Sequence, residues 1–117
     1  MRYMLLIYDK EADWAGLSEE ERGKLFHEYM TFTEDIRKSG HMVSGDALQP
    51  VSTATTVRVR NGKPLTTDGP FAETREQLGG FYIVEAKDLD EAAGIAARIP
   101  GSRMGAVEIR PVMNVGA

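Results

Sequence analysis

Near the middle of the chain, residues 66–71 read TTDGPF and form the corner around which the other segments are arranged. A carboxylate is followed by glycine, the most permissive backbone residue, then by proline, the most restricted, and then by an aromatic ring. This order predicts a rigid turn that holds the side chain of Asp68 in a fixed direction. The corner separates two halves, each with the order strand, helix, strand.

A predicted β-hairpin leads into this corner. Residues 55–67 contain strand-forming alternation on either side of an Asn-Gly pair at positions 61–62, which is typical of a two-residue type I′ turn. This register places Val59 opposite Pro64. Because proline has no backbone N–H to donate, its strand is expected at an edge. The hairpin is therefore predicted to lie at the periphery.

The first half of the chain begins with residues 3–8, an apolar run without alternation that is typical of a strand buried on both faces. Residues 9–17 are polar and predict a loop. Ser18 and Glu21 then form a capping box at the start of an amphipathic helix. A second strand, interrupted by a glycine that suggests a bulge, is predicted over residues 41–48.

The second half follows the corner. Residues 72–78 are short and polar and predict a helical turn, which the glycines at positions 79–80 should end. Residues 81–86 are strand formers. A second capping box, which begins at Asp88, predicts a helix with a small-residue face. The last strand is predicted over residues 106–112.

The order strand, helix, strand, hairpin, strand, helix, strand predicts an α+β fold, a split βαβ arrangement with an inserted β-hairpin. Right-handed crossovers would place two helices on one face of a single antiparallel sheet. With 117 residues, the chain is expected to form one domain over residues 1–117.

The helix-free face of this sheet predicts a partner. The first strand carries apolar side chains at both odd and even positions, and the chain has no further helix to cover the second set. Burial of a sheet face is strongly favourable, and a second copy of the sheet can supply the cover. We therefore expect a homodimer packed sheet on sheet. The alternative is a monomer with an exposed apolar face.

The composition excludes several classes of function. The net charge is −4 and the basic residues are scattered, which argues against direct binding of nucleic acid or an anionic membrane. The absence of cysteine excludes disulfides and thiolate chemistry, and His27 and His41 alone do not predict a metal site. The apolar run near the start is too short for a signal sequence or a membrane span. A cytoplasmic protein without a bound metal or cofactor is expected.

Three segments resemble the DGPF-type members of the YCII-related family: residues 3–7 (YMLLI), 67–74 (TDGPFAET) and 77–81 (QLGGF). The similarity extends over almost the whole chain. It implies a dimeric α+β barrel built from ferredoxin-like protomers. In YCII-like relatives a histidine and an aspartate face each other in a cleft, which implies enzymes, but Tyr29 stands here at the position that matches the histidine. Members that occur beside or fused to alternative sigma factors imply a regulatory role and a protein partner in transcription.

Three residues are candidates for catalysis. Asp68, held by the corner, could act as a general acid or base, or could serve only to cap its own turn. Tyr29 lies on the apolar stripe of the first helix, so its ring is either core alone or core with a hydroxyl that reaches a cleft. His27 lies off that stripe and is either a titrating site residue or a solvent-facing side chain.

Three further residues are candidates for ligand binding. Glu73 and Arg75 follow the corner and could form a polar network with Asp68, in which the guanidinium would hold a ligand carboxylate. The alternative is a set of salt-bridged surface charges. Trp14 could be a lid or an interface anchor, or could pack on the end of the helix.

Two functions are compatible with these residues. The first is a cofactor-free enzyme that acts on a small molecule in an Asp-centred polar cleft. The second is a ligand-binding or regulatory module without chemistry of its own, associated with a sigma-factor system. The fold alone does not discriminate between them.

Overall fold

The computed structural model of the chain describes residues 1–115. The strands are β1 (Arg2–Asp9), β2 (Met42–Ala47), β3 (Thr55–Arg60), β4 (Lys63–Asp68), β5 (Gln77–Glu85) and β6 (Ala106–Pro111). The helices are α1 (Glu11–Ala15), α2 (Glu19–Lys38) and α3 (Leu89–Ala97), and short 3-10 turns occur at Val51–Thr53 and Pro100–Arg103. None of the helices within the described residues is long and apolar enough to cross a membrane.

Four strands form an antiparallel sheet in the order β2-β5-β1-β6. The central pair, β1 and β5, comes from the two different halves of the chain, so each half completes the sheet of the other. This is the ferredoxin-like α+β arrangement that the element order predicts. Strands β3 and β4 form a separate two-stranded sheet.

Helices α2 and α3 pack on the same face of the four-stranded sheet. Leu5 of β1 and Val84 of β5 lie in one buried cluster with Phe32 and Ile36 of α2 and Ile95 of α3. The buried positions of β1 alternate with half-buried ones, because within a single chain only one face of the sheet is covered by helices. The expectation of two helices on one face is confirmed.

The hairpin has the predicted turn and register. Asn61 and Gly62 both have positive φ, 53° and 73°, as a type I′ turn requires. Val59 lies opposite Pro64. These features depend on residues adjacent in sequence, which explains why they could be predicted without knowledge of the rest of the fold.

The prediction of a loop over residues 9–17 is wrong at its start and in its middle. Asp9 continues strand β1, where it lies opposite Gln77 of β5, and a short helix, α1, follows at Glu11–Ala15. The backbone N–H of Glu11 donates to the side-chain oxygen of Gln77 at 3.0 Å. This helix is set by contacts with a distant strand, which a local pattern does not contain.

The expectation of a helical turn over residues 72–78, ended by the glycine pair, is also wrong, because residues 72–76 are irregular and both glycines lie inside β5. A register shift at this point leaves Gly79 without an opposite residue on β1. A Cβ atom on Gly80 would lie 3.0 Å from the carbonyl oxygen of Asp46, so glycine permits the close approach of β2. The bulge in β2 falls between Met42 and Ser44 and not at the predicted glycine.

Candidate functional site

A cavity of about 740 Å³ lies between the first two helices and the part of the sheet where β2 and β5 meet. Its walls include Trp14 of α1 and Tyr29 of α2, and glycines 79 and 80 of β5 contribute to its floor. The absence of side chains on these glycines leaves the floor open. The volume is that of a site for a small molecule.

Asp9 is the distinctive residue of this cavity. It is 5% exposed and is the one charged residue among residues 1–115 that is buried. Its Oδ2 accepts a hydrogen bond from the indole Nε1–H of Trp14 at 2.7 Å. No protein donor within residues 1–115 bonds Oδ1, so that oxygen can accept from a molecule in the cavity. A buried carboxylate is stable only when its charge is compensated by hydrogen bonds, and here one oxygen is compensated and the other is available.

The alternation of strand β1 places Asp9 in this position. Odd-numbered residues of β1, among them Leu5 and Ile7, face the helices and are buried. Asp9 continues the same series at the end of the strand, where helix α1 and the cavity replace the apolar core. A Cβ atom on Gly79 would lie 3.7 Å from Oδ1 of Asp9. A glycine there keeps the neighbourhood of the carboxylate free of side chains.

Tyr29 also lines this cavity. Its oxygen accepts a hydrogen bond from the backbone N–H of Gly101 at 3.0 Å. Burial raises the pKa of Tyr29 to about 12, while the Gly101 hydrogen bond lowers it and the Asp9 carboxylate raises it by smaller amounts. Tyr29 is therefore protonated near neutral pH. Its O–H can donate to a ligand while its oxygen accepts from the backbone.

Trp14 joins the two groups. Its ring lies 6.5 Å from that of Tyr29 between centroids, in a tilted arrangement. Helix α1, which carries Trp14, is held against the connection after β2 by a hydrogen bond of 2.9 Å from the backbone N–H of Val51 to Oε2 of Glu11. The position of the indole is therefore set by its hydrogen bond to Asp9 and by the contact that holds helix α1. The indole forms one wall of the site.

Polar pairs complete the wall on the side of α2. The hydroxyl groups of Thr33 and Tyr82 lie 2.7 Å apart, and burial raises the pKa of Tyr82. Farther along α2, Arg37 lines the cavity while its guanidinium donates to Glu34 at 3.2 Å. The cavity thus combines a largely aromatic wall with a small number of oriented polar groups, as is usual in small-molecule sites.

A comparison with known protein families assigns the chain to one of them. The YCII-related domain matches residues 1–115. This protein belongs to the YCII-related family. An uncharacterised protein of Rhizobium meliloti (strain 1021) is 32% identical over 114 residues, which cover 96% of this chain and 92% of that protein. The resemblance stated from the sequence is therefore confirmed.

A solved structure shares the fold of this YCII-related chain. It is that of the 5-chloro-2-hydroxyhydroquinone dehydrochlorinase TftG from Burkholderia phenoliruptrix AC1100, in complex with 2,5-dihydroxybenzoquinone. The TM-score is 0.54 and the identity is 15%, over 97% of this chain and 94% of that one. At this identity the similarity shows the α+β fold alone.

Two of the six predicted site residues of this YCII-related protein, Tyr29 and Trp14, line the cavity. Asp68 does not line it. Asp68 is exposed at the end of β4, opposite Thr55 of β3. The residue after it, Gly69, has φ 107° and donates its N–H to the carbonyl of Ala54 at 2.7 Å, which closes the turn. The corner thus has the predicted rigid backbone, but the structure separates it from the cavity.

The other three predicted residues also lie outside the cavity. His27 borders a shallow groove on the opposite side of α2, beside Arg98 and Arg103. Glu73 and Arg75 are exposed in the segment between β4 and β5. Their roles stay predictions. Within residues 1–115, no group of three or more His, Cys, Asp or Glu side chains is arranged to hold a metal ion.

Sequence reasoning missed Asp9, although one signal was present. A carboxylate that follows a buried strand in the same alternation as its buried residues is expected on the covered face of the sheet. The polar composition of residues 9–17 predicts a loop, and a loop does not assign Asp9 to a face of the sheet. The contact with Trp14 also needs helix α1, which was not predicted.

Proposed function

We propose that this protein is an enzyme that moves protons on a small molecule bound in the cavity, without a bound cofactor, with Asp9 as the base and Tyr29 as a hydrogen-bond donor. The observation that carries this proposal is the geometry of Asp9. One carboxylate oxygen is held by Trp14, and the other has no protein donor within residues 1–115 and borders a cavity of suitable size.

The two groups suit a carbonyl compound with an acidic C–H next to the carbonyl group. Oδ1 of Asp9 would take that proton, and the electron pair left behind would move onto the carbonyl oxygen. The O–H of Tyr29 would donate to this oxygen as negative charge develops on it. Return of the proton from Asp9 to another atom of the molecule, or loss of a leaving group, would complete an isomerisation or an elimination.

The shared fold is compatible with this proposal. TftG is named as a dehydrochlorinase and binds 2,5-dihydroxybenzoquinone in its solved structure. That name shows that a protomer of this fold can be an enzyme. It does not transfer the reaction, because one fold supports many chemistries.

The test compares two aspartates of the same chain. Small carbonyl compounds are first screened for binding through the fluorescence of Trp14, the only tryptophan in the sequence, and the ligands are then assayed for turnover. Asp9→Asn should lower kcat by about 100-fold to 10,000-fold, as expected for loss of a general base. Asp68→Asn is the matched control and should retain the wild-type rate. Loss of turnover in Asp68→Asn with retention in Asp9→Asn would instead place the chemistry at the corner.

A second candidate is a ligand-binding or regulatory module, with a protein partner in transcription as the family resemblance implies. The observation that favours it is the set of exposed apolar side chains on the β3–β4 hairpin, which offer a surface for protein contact. It predicts ligand binding without turnover, with similar affinity in the wild type and in Asp9→Asn. A measurable rate that depends on Asp9 would exclude it.

We also propose a homodimer that packs the helix-free faces of two sheets together. Met4 and Leu6 of β1 and Phe81 and Ile83 of β5 lie at half-buried positions on that face, opposite the helices. The molecule is only 19 Å thick along its shortest axis, which corresponds to one sheet and one helical layer. A second sheet at the usual spacing of about 10 Å would cover these side chains.

A cytoplasmic location stays a prediction from the sequence.

A further inference from the structure

The β3–β4 hairpin is the least covered part of the fold. Its two strands pair with each other and with no strand of the four-stranded sheet within residues 1–115. Val57 and Val59 are 58% and 60% exposed, and every residue of β4 is exposed. An isolated two-stranded hairpin is marginally stable in water, so a hairpin of this kind usually packs against another surface.

One side of the hairpin is apolar. Val59 lies opposite Pro64 and Val57 opposite Thr66, and strand alternation directs these four residues to the same side. The other side carries Arg58, whose guanidinium lies 5.1 Å from the ring centre of Phe71. We refer to Val57, Val59, Pro64 and Thr66 as the apolar face of the hairpin. It is the side that gains most from cover by a partner.

The overall dimensions indicate how much surface a partner must cover. The radius of gyration is 16.2 Å, whereas about 13 Å is expected for a compact domain of this length. The accessible surface is 8268 Å², whereas about 6,300 Å² is expected for a folded monomer of this mass. The excess of roughly 2,000 Å² is within the range that one subunit buries in an obligate dimer.

We propose that the apolar face of the β3–β4 hairpin docks onto a second copy of this chain. This inference rests on the proposed homodimer and extends it from the sheet to the hairpin. The surface excess supports a second copy as the occupant, since an obligate partner of this size is present wherever the chain is made. The hairpin then acts as an arm that holds the partner.

The connection between β2 and the hairpin links this contact to the cavity. Leu48 and Pro50 line the cavity, and the N–H of Val51 is bound by Glu11 of helix α1. The N–H of Leu48 donates to the carbonyl of Gly79 at 2.9 Å. Docking of the hairpin would therefore restrict the movement of Leu48 and Pro50, which form part of the cavity wall beside Asp9.

The test uses the absence of cysteine from the chain. The variants V59C and L89C each carry a single thiol, and Leu89, at the start of α3, is similarly exposed at 55%. The rate of thiol modification is measured over a range of protein concentrations, with the oligomeric state followed by sedimentation. In V59C the thiol should react at least about tenfold more slowly in the dimer than in the diluted monomer, since burial protects a reactive group. In L89C the rate should not change.

A second pair of variants tests the same contact without labelling. The double substitution V57D/V59D should weaken dimerisation by about 100-fold or more, because an apolar interface does not accommodate unpaired carboxylates. L89D should leave it unchanged. Circular dichroism would show that both variants are folded.

The outcomes separate this inference from the homodimer itself. A dimeric wild type in which the V59C thiol reacts as fast as the L89C thiol would overturn the docking of the hairpin and leave the sheet-on-sheet dimer in place. A wild type that stays monomeric at all concentrations would overturn both. A protected V59C thiol together with a weakened V57D/V59D dimer would support the inference.

Discussion

Asp9 and Tyr29 show how two residues at ordinary positions of a fold can become available for chemistry. Asp9 occupies a position that the alternation of β1 assigns to the core, yet its neighbours are an indole N–H and an open cavity. Tyr29 lies on the apolar stripe of α2, yet its hydroxyl oxygen is bound by a backbone N–H. The protein therefore satisfies only part of the hydrogen-bonding capacity of each side chain. Both residues line the same cavity, where a ligand could use the remaining capacity.

The buried hydroxyl of Tyr29 predicts a loss of stability at alkaline pH. Its pKa is raised from 10.0 to about 12, so between these values the folded protein holds a proton that the unfolded chain has lost. The resulting stabilisation is fully present below pH 10 and is lost as the pH rises through 12. Thermal unfolding of Tyr29→Phe should therefore depend less steeply on pH in this window than that of the wild type. Some dependence should remain, because the pKa of Tyr82 is raised as well.

Tyr29→Phe also leaves the N–H of Gly101 without its acceptor. Near neutral pH this should lower the free energy of unfolding by about 1 to 3 kcal/mol, the usual range for a buried donor left unpaired. The measurement is urea unfolding followed by circular dichroism. A pH dependence equal to that of the wild type would contradict the assignment of the alkaline loss to Tyr29.

At the scale of elements, the 3-10 turn Pro100–Arg103 supports helix α2 from the side. Gly101 of this turn lies so close to α2 that a Cβ atom there would meet the hydroxyl oxygen of Tyr29 at 2.6 Å and Cγ2 of Ile7 at 2.9 Å. The turn thus sets the position of the Tyr29 hydroxyl and, through it, part of the cavity wall. Strand, helix and turn meet at one residue that has no side chain.

Gly101→Ala should destabilise the protein, because the added methyl group would displace the Tyr29 hydroxyl and press on the buried side chain of Ile7. We expect a loss of about 1 to 3 kcal/mol in the free energy of unfolding, as for other overpacked sites. Gly94→Ala in the interior of α3 is the matched control. A Cβ atom there meets nothing within 4 Å, so this change should stabilise the helix by up to about 1 kcal/mol. Equal effects of the two substitutions in chemical denaturation would show that the contact at Gly101 is not tight.

The elements themselves were largely predictable, since their signals are local. The capping box of Ser18 and Glu21 begins α2, and the turn at Asn61 has the positive φ that its sequence predicts. Helix α1 was missed because it is short, and its N–H and carboxylate groups are bound by Gln77 and by the segment after β2. Such partners become neighbours only once the chain has folded.

At the scale of the whole molecule, the chain forms two layers, a sheet and the helices on one of its faces. One sheet face carries helices α2 and α3, and the other carries half-buried apolar side chains. The thickness of 19 Å and the detached hairpin give the molecule a flat shape with an unusually large surface. In the homodimer that we propose, a second copy related by twofold symmetry would cover the helix-free face.

Leu6→Asp tests the proposed dimer on the sheet face. Leu6 lies in the middle of β1 on the side without helices, so the introduced carboxylate would face the partner sheet. We expect dimerisation to weaken by about 100-fold or more, since a charge buried without a partner is strongly unfavourable. Met30→Asp, at an exposed position of α2, is the control and should remain dimeric. Sedimentation of both variants at the same protein concentration is the measurement, and a Leu6→Asp dimer of wild-type affinity would exclude this interface.

The sequence by itself determined the α+β class, the split βαβ order and the register of the hairpin, because these depend on periodicity, caps and turns within short segments. The family was indicated separately, by the resemblance of residues 3–7, 67–74 and 77–81. It also identified Tyr29 and Trp14 as site candidates. Only the tertiary structure decided where the cavity lies and that Asp9, not Asp68, borders it. The physical reason is that a carboxylate acquires its surroundings from elements far apart in sequence. Helix α1 brings an indole N–H to Asp9, whereas the rigid corner at residues 66–71 leaves Asp68 exposed at the end of a detached hairpin.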